Sequence, residues 1–91
     1  MNYDLLFKEV GLGGNMVALE VTTIGYQILV SDGQGNLPRE NDNWKVSVFG
    51  YNYEDNEFDD EPIWSFKFTH FSKDNMESFV KIVLLLLKTL R

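Results

Sequence analysis

The sequence predicts an α+β domain: a four-stranded antiparallel sheet in meander order 1-2-3-4, a long C-terminal helix packed on one face, and a short N-terminal helix. Three observations lead there. The last twenty residues, Ser72 to Arg91, carry apolar side chains at helical spacing. Four earlier segments alternate apolar and polar residues, as half-buried strands do. The segments between them are rich in Gly, Asn and Asp, which favour turns.

The C-terminal helix is the best signalled element. Ser72 or Asp74 can cap it, and Asp74 and Glu77 have capping-box spacing. Lys88 and Arg91 in the last turn suit the helix dipole. Met76, Phe79, Val80, Ile82, Val83, Leu84, Leu86, Leu87 and Leu90 fall on one arc roughly 200° wide, where a surface helix needs roughly 100° or more. Leu85 stands among the polar residues of the opposite side. One sheet cannot cover so wide an arc, so a second cover is expected: the N-terminal segment, a partner, or a second copy meeting Ile82, Leu85 and Leu86. A membrane span is not expected. The longest unbroken apolar run, Ile82 to Leu87, falls far short of the about 20 residues that spanning requires.

At the other end, Tyr3, Leu6, Phe7 and Val10 stand at helical spacing. A short helix over Asn2 to Val10 is therefore expected, capped by Asn2, ended by Gly11 and docked on the C-terminal helix. A strand over Asp4 to Val10 is the alternative. Gly11 to Asn15 reads as a flexible turn. Its G-x-G-G lacks the following Lys-Ser/Thr pair of a phosphate loop.

The four strands follow. Met16 to Thr23 sets Val17, Leu19 and Val21 on one face. After a turn at Gly25, Tyr26, Ile28 and Val30 form the apolar face of the second. A polar loop from Ser31 to Asn43 leads to Trp44–Tyr51, with Trp44, Val46 and Val48 inward. Its other face carries Phe49 and Tyr51, aromatic where water was expected. Ile63 to Phe71 is the fourth strand, with Trp64, Phe66 and Phe68 inward and His70 a structural residue near the helix start.

Composition narrows the function classes. The 91 residues make one expected domain, residues 1–91, carrying 14 acids against 8 bases and a net charge of −6. Direct nucleic-acid binding needs clustered Lys and Arg, and here they are scattered. There is no cysteine and one histidine, which removes thiolate chemistry, cysteine zinc sites and most triads. No catalytic constellation, metal site or cofactor motif is read, so an enzyme is not expected. Asp4 stands where a secretory leader would carry basic residues, so a cytoplasmic location is expected.

The strongest surface signal lies between the third and fourth strands. Six of the eight residues from Glu54 to Glu61 are acidic: Glu54, Asp55, Glu57, Asp59, Asp60 and Glu61. Tyr53 and Phe58 interleave with them. Such a block repels itself and stays in solvent unless a basic surface meets it. Carboxylates can imitate a phosphate backbone, and aromatics can anchor in a pocket. The expected partner is thus a protein with a basic surface, such as a nucleic-acid-binding protein. The expected role is that of an inhibitor, an immunity-type protein or a nucleic-acid mimic. The alternative is an assembly protein that homodimerises through the helix. Calcium is disfavoured, because an EF-hand register from Asp55 puts Asp60 where Gly belongs and Phe66 where the final Glu belongs.

Overall fold

The computed structural model describes residues 7–23 and 25–89. The strands are β1 (Lys8–Gly13), β2 (Met16–Thr23), β3 (Tyr26–Ser31), β4 (Trp44–Asn52), β5 (Glu57–Phe58) and β6 (Trp64–Phe68), followed by one helix, α1 (Lys73–Thr89). Every pairing is antiparallel: β1, β2, β3 and β4 lie side by side in sequence order, and β5 and β6 both lie along the far side of β4. The α+β class, the antiparallel sheet and the C-terminal helix are thus as expected, and the sheet is larger than the four strands anticipated.

The N-terminal helix is a correction. Lys8 to Gly13 is an edge strand, with Lys8 opposite Glu20 and Val10 opposite Ala18. Asn2 to Leu6, the rest of that expectation, lie outside the described residues. The reason is energetic. A helix this short is marginal in water, and Gly11 and Gly13 would weaken it further. A hairpin closed by Gly13 and Gly14, both at positive φ, gives the same backbone a ladder to bond with.

Cross-strand register fixes the two faces. Leu19 with Val30, Val21 with Ile28, Ile28 with Val48, and Val46 with Phe66 form rows on the helix side. These residues, with Trp44, Phe71 and Phe7, build the core with Met76, Val80, Val83 and Leu87 of α1. Phe7 thus docks into the core, as part of the chain leading into β1.

The helix buries a narrower stripe than its sequence offers. Met76, Val80, Val83 and Leu87 are buried, while Ile82, Leu85 and Leu86 are 53%, 63% and 48% exposed. At about 1.5–3 kcal/mol each, the four buried side chains contribute a gross that rivals the whole stability of a small domain. Without the helix the sheet would not hold. Ser72 is the cap. Its Oγ accepts from the Asn75 N–H at 3.1 Å, and its carbonyl takes the first helical bond, from Met76. Asp74, the other candidate, lies inside the first turn.

The corner between β6 and α1 also departs from expectation. The strand ends at Phe68, not Phe71, because His70 takes a left-handed backbone (φ 54) and turns Phe71 into the core. His70 is exposed, and its Nδ1 lies 3.0 Å from Thr69 Oγ1. Trp44 pins this corner. Its ring stacks on Phe68 at 4.5 Å and meets Phe71 edge-on at 5.6 Å, and its indole N–H donates to the Thr69 carbonyl. Asn41 N–H to Phe71 O and Phe71 N–H to Asp42 O tie the loop before β4 to the same corner.

The loop from Asp32 to Asn43 is ordered from within. The Asp32 carboxylate accepts from the Gln34 and Asn36 N–H groups, and Leu37 packs on the core. Desolvation raises the Asp32 pKa, but these backbone bonds outweigh it and hold the group below its ordinary value. Gly35 is required here. Its φ is 92°, its carbonyl takes the Val17 N–H, and a Cβ would sit 2.7 Å from Met16 Cγ. Among the described residues, no helix is long and apolar enough to cross a membrane.

Candidate functional site

The acidic stretch is a hairpin and a bulge, where the sequence had suggested a free loop. Tyr51 pairs with Phe58 and Asn52 with Glu57, which leaves Tyr53–Asn56 as a four-residue turn. Asn52 organises that turn. Its Oδ1 accepts from the Glu54 and Asp55 N–H groups at 2.9 and 3.3 Å, and its Nδ2 donates to the Asp55 carboxylate at 3.0 Å. Asn56 closes the turn at positive φ, a conformation Asn tolerates.

Beyond β5 the chain stays on the edge of β4. Asp59 N–H donates to Gly50 O and Ile63 N–H to Val48 O, so only Asp60, Glu61 and Pro62 are pushed out of the ladder. Pro62 suits that place, because it has no N–H to offer. The backbone under the acids is therefore fixed at both ends.

The predicted contact residues separate into two groups on this frame. Tyr53, Glu54, Asp55, Glu57, Asp59, Asp60 and Glu61 are exposed, Tyr53 at 69%. Phe58 is half-buried against Tyr51, edge-on at 5.1 Å. Tyr53 meets Tyr51 edge-on at 4.8 Å, and its hydroxyl lies 3.6 Å from where a Cβ on Gly25 would stand. Tyr51 N–H in turn donates to Gly25 O. Phe58 is thus a support for the hairpin, and Tyr53 is the aromatic offered to solvent.

The other predicted surface, Ile82, Leu85 and Leu86, is exposed on α1. It is a separate feature. Among the described residues, no three His, Asp or Glu side chains converge to hold a metal.

Sequence reading missed one basic feature. Lys45 and Lys67 are direct cross-strand partners on the sheet face opposite the helix. They line a cavity of about 650 Å³ with Asp32, Gln34, Asn43 and Thr69. Like charges placed opposite one another repel. The pair marks the start of β4, while the hairpin acids surround its end, so charge is segregated along one strand. The pairing register alone would have exposed this, and the register is not written in either segment separately. Comparisons with protein-family models, with curated proteins and with solved structures find no match to this chain.

Proposed function

We propose that the protein is a small binding module that places its acidic hairpin, Tyr53 to Glu61, on a basic surface of another macromolecule. It would act as an inhibitor, an immunity-type protein or a nucleic-acid mimic. The carrying observation is the fixed backbone under six exposed carboxylates. Ordering cost is a main reason that mobile charged loops bind weakly. Here Asn52 and the ladder to β4 meet that cost before any partner arrives. Tyr53 adds a large exposed aromatic of the kind that anchors interfaces. The lysine pair at the far end of β4 would orient a cationic partner toward the hairpin by repelling it elsewhere.

The test is affinity capture from a host extract with the wild type and with a variant carrying Glu54→Gln, Asp55→Asn, Asp59→Asn and Asp60→Asn. The wild type should retain a basic protein at low ionic strength and lose it at high ionic strength. The variant should not retain it. Equal recovery by both proteins would reject the reading.

A further inference from the structure

The sheet ends at β6, which pairs with β4 and has no strand along its other side among the described residues. The helix overhangs that edge. Phe79 meets Phe66 at 5.1 Å and Phe68 at 4.8 Å. Ile82 and Leu86 follow Phe79 on the same flank of α1, three and seven positions on, and are 53% and 48% exposed. A cavity between helix and strand is lined in part by Phe68, Phe79 and Ile82. An unpaired strand edge and an apolar shelf therefore lie side by side.

We propose that a second copy of this chain occupies the edge, β6 against β6, antiparallel, about a two-fold axis at Phe66. The argument for a second copy is the order of side chains. Trp64-Ser65-Phe66-Lys67-Phe68 alternates aromatic and polar identically in both directions. An axis at Phe66 sets Trp64 opposite Phe68, Phe66 opposite itself and Ser65 opposite Lys67. An axis at Lys67 would set two lysines opposite one another, which is repulsive. Opposed residues of an antiparallel pair share a face, so the aromatic row continues across the seam. Both helices then lie on one side of the joined sheet, with their Ile82 and Leu86 flanks turned toward each other. The contact is isologous and closes on itself. Leu85 takes no part, because helical geometry puts it opposite the buried stripe of Met76, Val80, Val83 and Leu87.

This inference does not depend on the acidic-hairpin reading, and its test is separate. Sedimentation at high micromolar concentration should give a dimer. Ile82→Lys should weaken self-association at least about tenfold, while Leu85→Lys leaves it unchanged. The chain has no cysteine, so engineered thiols report cleanly. Mixing Ser65→Cys protein with Lys67→Cys protein should give the mixed disulfide in excess over either protein alone. A monomeric wild type, equal loss with Leu85→Lys and Ile82→Lys, or no excess of the mixed disulfide would each overturn the proposal.

Discussion

The C-terminal helix and the acidic hairpin are held by different physics. The helix is kept in place by side chains: Met76, Val80, Val83 and Leu87 are buried in the core, and Phe79 packs on Phe66 and Phe68. The hairpin is kept in place by its backbone, by Asn52 and by the packing of Phe58 on Tyr51, while its charged side chains are exposed, Asp55 alone among them bonded to Asn52. Residue identity in the helix is therefore constrained by packing. Residue identity at Glu54, Asp55, Asp59 and Asp60 is free of that constraint. Stability and charge can be varied independently in this protein.

That separation can be attacked from the packing side first. Leu87→Ala, at a position 1% exposed, should cost about 2–5 kcal/mol, a large share of the total for a domain this size. Chemical denaturation would read the loss as a lower midpoint. A cost under about 1 kcal/mol would mean that α1 does not cover the sheet through this buried stripe.

Next in size is Asn52→Ala, which removes all three side-chain bonds of the hairpin turn. A loss of about 1–2 kcal/mol is expected. Faster amide exchange should be confined to Glu54 and Asp55, and loss of protection across β2 and β3 would contradict the local account.

Ser72→Ala should cost about 1 kcal/mol by uncapping α1. The same change at Asp74 should cost less, since Asp74 acts through the helix dipole alone.

Asp32→Ala should also cost about 1 kcal/mol at neutral pH, with a distinct pH signature. Its folded pKa lies below the ordinary 3.8. The stability it contributes is therefore present above that value and is lost as pH falls through the folded pKa. Denaturation curves of wild type and variant should converge in strong acid. The smallest effect belongs to the hairpin acids. Neutralising Glu54, Asp55, Asp59 and Asp60 together should move stability by no more than about 0.5 kcal/mol, or raise it slightly by relieving self-repulsion.

Where burial writes a pattern, the sequence was readable. Leu19 and Val21, Ile28 and Val30, Val46 and Val48 stand two apart because the helix covers their face, and all six are buried. The edge strand β1 wrote no such pattern. On its helix side, Phe7 is followed by Glu9 and Gly11, since the helix covers only the first of them. Helical spacing among Tyr3, Leu6, Phe7 and Val10 was then the stronger, misleading signal. The hairpin was hidden for a related reason: β5 is two residues long, too short for alternation to register. Its one local sign was an Asn placed two residues before the turn's acids, and only the fold shows that its side chain is used. The Lys45–Lys67 pair was beyond reach, because opposition across strands depends on a register that neither strand specifies alone.

The three residues extruded at Asp60, Glu61 and Pro62 act as a ruler. They interrupt the rim of the sheet just before Trp64, so the straight template offered there is five residues long, about 17 Å. A rim that short accommodates one matching strand and gives little purchase to the long stacked ribbons of a fibril. The bump limits how far this aromatic border can be copied by a neighbour.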